Sequence, residues 1–139
     1  MRQFADILVF QTDGRGLVEI TPRIAAWVAE AQIDAGLLTL FCRHTSASLL
    51  IQENAAADVR ADLESFFAEI APEDASRYRH DDEGPDDMPA HIRTALTGVT
   101  LGIPIVGERM ALGTWQGIYL FEHRRRPHRR EVALHLIGG

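Results

Sequence analysis

The run LLTLFC occupies residues Leu37–Cys42 and is apolar at every position except Thr39. A short apolar run of this kind is typical of a strand that is buried on both faces of its sheet. We therefore expect a central strand here, with the other elements packed around it. Cys42 is the only cysteine, so no internal disulfide is possible and a buried structural thiol is expected.

Two β-rich segments and a helix are predicted before this strand. Arg2–Thr12 and Gly16–Ile20 are separated by a turn that contains Gly14, which predicts an opening hairpin. Thr21 followed by proline is a helix-start signal, and apolar residues then recur at helical spacing up to the stop signal at Asp34–Gly36. The apolar stripe of this helix is expected to face the sheet.

Further helices are predicted after the central strand. A short strand near Leu49–Ile51 leads to a helix capped by Asn54, which carries apolar residues on one face. The charged segment Glu73–Met88 is a loop longer than compact domains usually contain without a functional reason. A third helix, Pro89–Thr97, is predicted to end at Gly98.

The C-terminal third has only strand signals and is predicted to form an antiparallel meander. Together with the earlier elements it gives an α+β fold with about three helices. The four predicted strands are Ile103–Val106, Arg109–Leu112, Ile118–Arg124 and Arg130–Ile137.

The composition bounds the architecture and the location. A chain of 139 residues that is 46% apolar and 24% charged fills one core, so residues 1–139 are predicted to form a single domain. No apolar run approaches the roughly 18 residues of a membrane span, and no targeting segment is recognisable. A cytoplasmic protein without a membrane partner is expected.

The charges exclude several classes of mechanism. All 14 basic residues are arginine, so a lysine Schiff base and a phosphate-loop lysine are both excluded. The net charge of −6 makes nucleic acid an unlikely partner, although His123–Arg130 (HRRRPHRR) is a local basic patch.

The segment His80–Ile92, HDDEGPDDMPAHI, concentrates acidic residues and histidines around a helix-start signal. If the helix begins at Asp87, His91 lies one turn further along, and the carboxylate and imidazole groups can converge. Such a donor set suits a divalent ion, namely zinc, manganese or magnesium. The alternative is an acidic loop that only caps the helix.

Polar residues follow the predicted central strand directly. His44, Thr45, Ser46 and Ser48 lie where a rigid element can direct side chains into a pocket. They can equally satisfy local backbone groups in a bend. Glu53, just before the second helix, is either a general base or a favourable charge at the helix N-terminus.

Glycines bracket a short interruption between two C-terminal strands. Gly113 and Gly117 flank the sequence Thr114–Gln116, which contains Trp115. This pattern indicates a bulge or a close approach of the backbone to a ligand or a neighbouring subunit.

Taken together, these motifs resemble the YjbQ family, sometimes labelled secondary thiamine-phosphate synthase, over essentially the whole length. The motifs that carry the resemblance are His44–Leu49, Glu53–Asn54 with Asp58, Tyr78 with His80, Asp86–Ile92, and Gly113–Gly117 followed by Glu122. The resemblance implies a largely antiparallel sheet curved toward a barrel, and a homotrimer with pockets near subunit boundaries. It also implies a weak thiamine-phosphate synthase activity.

Two hypotheses about function follow. The first is a metal-assisted enzyme that acts on a small phosphorylated or otherwise anionic metabolite. The alternative is a non-catalytic trimeric module that binds a metabolite or a metal. For the enzyme, the predicted catalytic residues are His44, Glu53 and His91; the predicted metal ligands are His44, His80, Asp87 and His91; and the predicted substrate-binding residues are Thr45, Ser46, Ser48, Asn54, Trp115, Gln116 and Arg124.

Overall fold

The computed structural model describes all 139 residues and contains eight strands, three α-helices and one turn of 3-10 helix. None of the helices has the length and apolarity needed to cross a lipid bilayer. In chain order the elements are β1 (Arg2–Thr12), β2 (Gly16–Glu19), α1 (Thr21–Ala31), β3 (Ala35–Cys42), β4 (Ala47–Glu53), α2 (Ala57–Ile70), the 3-10 turn (Ala75–Arg77), α3 (Asp87–Thr97), β5 (Thr100–Val106), β6 (Arg109–Met110), β7 (Gln116–Glu122) and β8 (His128–Gly138).

The strands form two antiparallel sheets that curl around one core. The large sheet has the order β1-β8-β3-β5-β6 and the small sheet has the order β2-β7-β4. Apolar side chains from both sheets and from α1 fill the space between them, among them Ile24, Leu40, Leu120 and Leu134. This arrangement confirms the predicted α+β fold with a curved, largely antiparallel sheet and three helices.

The predicted opening hairpin is wrong, because β1 and β2 belong to different sheets. All eleven residues of β1 pair with β8, from Arg2 opposite Gly138 to Thr12 opposite His128, whereas β2 pairs with β7. Gly14 and Gly16 have φ angles of 156° and 139°, which let the chain leave one sheet and enter the other.

The predicted C-terminal meander is also wrong. Only β5 and β6 pair with each other. The next strand, β7, inserts between β2 and β4, and β8 inserts between β1 and β3. Pairing with distant strands gives both β7 and β8 a partner on each edge, whereas in a local meander the last strand, β8, would be left at the edge of the sheet.

The central strand β3 is buried on one face only. Leu38, Leu40 and Cys42 lie in the core, whereas Leu37 and Phe41 on the opposite face are each 46% exposed. No helix of this chain packs on that face of the large sheet, which we call the outer face. By strand register it also carries Ile7 and Ile137, so an apolar surface is exposed there.

The predicted helix boundaries hold best for α3. It spans Asp87–Thr97, so it begins two residues before the predicted Pro89 and ends before Gly98, as predicted. Helix α2 begins at Ala57 instead of at Asn54. The side-chain amide of Asn54 donates to the carbonyls of Thr114 and Gln116, so this side chain does not cap the helix.

Gly36 and Gly138 are opposite each other in the paired strands β3 and β8, where the two backbones lie close together. A Cβ on Gly138 would overlap the carbonyl oxygen of Ala35 and the Cα of Gly36. We expect Gly138→Ala to lower the free energy of unfolding by about 2 kcal/mol, because backbone atoms must move apart. Gly139→Ala is the matched control, since nothing lies within 4 Å of its Cβ position. Equal denaturant midpoints for the two variants would contradict the close approach of the β3 and β8 backbones at this position.

Candidate metal centre

His80, Asp87 and His91 converge at the N-terminal end of α3. One ligand atom from each of the three residues lies within 4.8 Å of the other two. The Asp87 Oδ2 atom is 2.7 Å from His80 Nε2 and 3.2 Å from His91 Nε2. Asp87 and His91 are four residues apart and so share one face of the helix.

The loop before α3 is folded back so that His80 reaches this face. Tyr78 donates its hydroxyl to the carbonyl of Pro72 at 2.8 Å, which anchors the start of the segment. Gly84 has a φ of 100°, and its carbonyl accepts the amide of Asp87 at 3.3 Å. The long charged loop is therefore an ordered part of the site.

Arg124 fixes the orientation of the Asp87 carboxylate. Its Nη1 donates to Asp87 Oδ1 at 2.7 Å, and its Nε donates to Asp86 Oδ2 at 3.0 Å. The amide of Arg125 also donates to Asp86 Oδ2, at 2.9 Å. Because Oδ1 of Asp87 is bound from behind, Oδ2 is directed at the two imidazoles.

A backbone carbonyl selects the tautomer of His91. The Nδ1 atom lies 2.9 Å from the carbonyl oxygen of Thr45, and a carbonyl only accepts hydrogen bonds. Nδ1 therefore carries hydrogen, and in the neutral ring Nε2 presents a lone pair to the Asp87 carboxylate. Two lone pairs at this distance repel, so a proton or a metal cation belongs between them.

The donor set fits a divalent metal. Two imidazole nitrogens and one carboxylate oxygen are the ligands of many zinc and manganese sites, and the Thr45 and Arg124 contacts are the supporting hydrogen bonds that such ligands require. The fourth predicted ligand, His44, is not in this group. Its Nε2 accepts the amide of Glu131 at 2.7 Å, so that lone pair is already used.

The electrostatics keep the carboxylate ionised. Burial alone raises the pKa of Asp87, but the hydrogen bond from His80 and the positive charges of His91 and Arg124 bring that pKa below its usual value. The same hydrogen bond raises the pKa of His80. A metal ion bound to these ligands would displace any proton that they share.

The other predicted residues near this end of the fold have structural contacts. Ser46 accepts from the Arg130 guanidinium through both its hydroxyl and its carbonyl, at 3.0 and 3.1 Å. Ser48 is fully buried, with its hydroxyl 2.9 Å from His123 Nε2. The Thr45 carbonyl accepts a hydrogen bond from His91. The Arg124 guanidinium donates to Asp86, Asp87 and the Glu83 carbonyl.

The remaining predicted residues lie at the opposite end of the small sheet. β4 and β7 pair with Ala47 opposite Glu122 at one end and Glu53 opposite Gln116 at the other. Six residues of strand separate these ends, which is about 20 Å at about 3.3 Å per residue. Glu53, Asn54, Trp115 and Gln116 are therefore not brought together with the histidines within one chain.

Three side chains of this distant group, Glu53, Asn54 and Gln116, are hydrogen-bonded to the backbone, whereas Trp115 is exposed. The Glu53 carboxylate accepts the amides of Ala55 and Ala56 at 2.9 and 2.7 Å, which matches the alternative of a charge that supports the start of a helix. The Gln116 side chain accepts the amide of Gly113, and Trp115 is 63% exposed.

Sequence reasoning missed the buried ion pair below the metal ligands. Glu122 is fully buried and accepts from Arg130 Nε at 2.7 Å and from the Thr12 hydroxyl at 2.6 Å. It also accepts the backbone amides of His123 and Arg124 at 3.0 and 3.1 Å, which fixes the turn that delivers Arg124 to Asp87. Glu122 belongs to a motif of the family resemblance and ends an apolar strand, but neither signal indicates its partner Arg130.

His123 is a buried neutral histidine in the same layer. Burial, followed by the positive charges of Arg93, Arg130 and Arg15, lowers its pKa to about 3. Its Nε2 atom bonds to Ser48, whose hydroxyl also lies 2.6 Å from the hydroxyl of Thr97 on α3.

This histidine makes stability depend on pH. Between its folded pKa of about 3 and its ordinary value of 6.5, the unfolded chain binds a proton that the folded chain does not. Stability is therefore lost as the pH falls below 6.5, by up to about 1.4 kcal/mol per pH unit. We expect His123→Gln to reduce this slope between pH 6.5 and 5, measured by urea unfolding. The control His135→Gln, at a more exposed imidazole, should keep it; an unchanged slope in His123→Gln would refute the assignment.

Comparison with known proteins places the chain in a family. A family model described as "UPF0047 protein YjbQ-like" matches residues 6–139. The UPF0047 protein sll1880 of Synechocystis is 56% identical over 137 residues, covering 99% of this chain and 93% of the relative. The UPF0047 protein YjbQ of Escherichia coli O157:H7 is 41% identical over 132 residues, covering 94% and 95%.

Solved structures share the fold. An uncharacterised YjbQ/UPF0047 family protein from Clostridium acetobutylicum superposes with a TM-score of 0.86 at 31% identity, covering 95% of this chain and 99% of that chain. A YbjQ-like protein of unknown function from Sulfolobus solfataricus gives a TM-score of 0.87 at 20% identity, covering 99% and 100%. The match of the family model and the level of identity show that the chain belongs to the YjbQ family, UPF0047, whose function is not characterised.

Proposed function

We propose that the protein is a metal-dependent enzyme that acts on a small phosphorylated or otherwise anionic metabolite. The observation that carries this proposal is the convergence of His80 Nε2, Asp87 Oδ2 and His91 Nε2 within 4.8 Å. Zinc and manganese suit this set better than magnesium, because magnesium prefers ligands that are all oxygen.

In this proposal the metal, when bound, acts as a Lewis acid that polarises a phosphoryl or carbonyl oxygen and lowers the pKa of a bound water. The protein's own groups prepare the site. Arg124 and the Thr45 carbonyl hold Asp87 and His91 in a ligating orientation. His44, which lines a cavity together with His91, has its pKa lowered by burial and by Arg130, and it offers a neutral N–H to a substrate.

A weak thiamine-phosphate synthase activity, expected from the family resemblance, is part of this proposal as a side reaction. That reaction releases pyrophosphate and needs a divalent cation together with positive groups that bind the leaving group. The predicted anion-binding residue Arg124 is occupied by carboxylates, so Arg43 is the more available cation beside His91.

The second candidate is a non-catalytic module that binds a metal or metabolite. One observation favours it: the predicted general base, Glu53, lies at the far end of the small sheet and is bound to backbone amides. Retention of metal with no turnover of any phosphorylated substrate would support this candidate.

Metal content tests the centre directly. We expect near-stoichiometric zinc or manganese, measured by elemental mass spectrometry on untagged protein, because three converging donors give a strong site. His91→Ala and Asp87→Asn should each lower retained metal at least about tenfold, since each removes a ligand. His135→Ala, a histidine outside the group, is the control and should keep the metal. Wild-type protein that takes up no metal when it is offered would refute the proposal.

We also propose that the protein assembles as a homotrimer through the outer face of the large sheet. The support is the exposed apolar surface that includes Ile7, Leu37 and Ile137; Phe41 lies at the end of this face that borders α3. Burial of such a surface in a subunit interface removes it from water and stabilises the assembly.

The oligomer is tested with one charge on this face. We expect Leu37→Glu to convert trimers into monomers in light scattering, because a carboxylate in an apolar interface is left without a partner. Leu96→Glu is the control, since Leu96 is also exposed but lies on α3 away from the outer face. A monomeric wild type, or a Leu37→Glu variant with unchanged mass, would exclude assembly through this face.

A further inference from the structure

A cavity of about 580 Å³ lies between α3 and the segment that follows β3. This volume is in the range of small-molecule sites. Its lining residues are Phe41, Cys42, Arg43, His44, Thr45, His91, Thr94, Ala95 and Val99.

We propose that this cavity binds a small molecule that combines an apolar, ring-sized body with an anionic group such as a phosphate or a carboxylate. The inference rests on the proposed function for the chemistry, because His91 is both a wall of the cavity and a ligand of the metal centre. The binding itself depends only on the cavity.

The apolar part of the ligand is inferred from one side of the cavity. Phe41, Ala95 and Val99 supply hydrocarbon surface there. A planar apolar group that covers these side chains removes their surface from water, which favours binding.

The anionic part is inferred from the charges of the lining. None of the nine lining residues is acidic, although the chain has 20 acidic residues and a net charge of −6. Arg43 makes one ion pair, to Glu131, so other guanidinium N–H groups are free to donate. His44 accepts a backbone amide at Nε2, which leaves the hydrogen on Nδ1 as a second donor.

One face of α3 joins the cavity to the metal centre. Asp87, His91 and Ala95 are spaced by four residues and lie along a single stripe of the helix. The metal ligands occupy the N-terminal part of the stripe and the cavity adjoins its C-terminal part. A molecule bound here therefore contacts the His91 ring.

Phenyl phosphate is a suitable probe, because it joins an apolar ring to an anionic group in one small molecule. Calorimetry and saturation-transfer NMR would compare it with inorganic phosphate and benzyl alcohol, on purified full-length protein with and without zinc. We expect phenyl phosphate to bind at least about fivefold more tightly than either fragment, because only it uses both sides of the cavity.

Two tryptophan substitutions on neighbouring exposed positions locate the binding. Ala95→Trp fills the cavity and should weaken phenyl phosphate binding at least about tenfold, whereas Leu96→Trp, one residue away and outside the lining, should leave it unchanged.

The outcomes separate this inference from the proposed function. No binding of phenyl phosphate to the wild type, equal effects of the two tryptophan variants, or equal affinity for inorganic phosphate would each overturn the inference. Binding that is lost in Ala95→Trp, in a protein that takes up no metal, would sustain the inference while refuting the metal-dependent enzyme.

Discussion

The buried carboxylate of Glu122 is the interaction on which the rest of the structure depends. It stands at the end of β7 in the small sheet, and its partners are Arg130 on β8 and Thr12 on β1 in the large sheet. Arg130 in turn binds Ser46 at the entrance to β4. One ion pair therefore connects both sheets at the edge where the candidate metal ligands lie. Leaving either charge without its partner would cost about 3–5 kcal/mol.

The candidate metal ligands take their geometry from the contacts at this edge. The Glu122 carboxylate holds the amide of Arg124, Arg124 holds Asp86 and Asp87, and Asp87 faces the two histidines. Two carboxylates and one guanidinium leave a surplus of one negative charge in a buried place. Such a surplus is unstable without a counter-charge, which either a protonated histidine or a metal ion provides. This series of contacts explains how the turn after β7, which carries Arg124, fixes the orientation of Asp87 at the N-terminus of α3.

Local signals predicted local structure well and long-range structure poorly. The start of α3 at Asp87, its end at Gly98, and the spacing that brings His91 beside Asp87 all depend on residues within a few positions. Strand pairing depends on partners that are far away in the chain. A pattern of alternating apolar residues indicates a strand but not the strand with which it pairs. The predicted hairpin and the predicted meander were wrong for this reason. The run Leu37–Cys42 is apolar on both faces, but sequence alone does not tell whether a helix or another molecule covers the second face.

The candidate site shows the same difference between local and long-range structure. His80, Asp87 and His91 come from one short segment and meet, whereas Glu53 and Trp115 belong to motifs whose spacing along the chain carries no information about distance. Arg124 was expected to bind a substrate anion and binds carboxylates of its own chain. Its role was not readable from residue type, because an arginine suits either partner equally well.

The position of β8 between β1 and β3 also has a consequence for synthesis on the ribosome. The large sheet has no connection between β1 and the β3-β5-β6 group until residues 128–138 have left the exit tunnel. During translation, β1 and the outer edge of β3 carry unpaired backbone groups beside apolar side chains, a combination that attracts other nascent chains and chaperones. The strand that completes the fold is thus also the one that ends the interval of greatest exposure to aggregation.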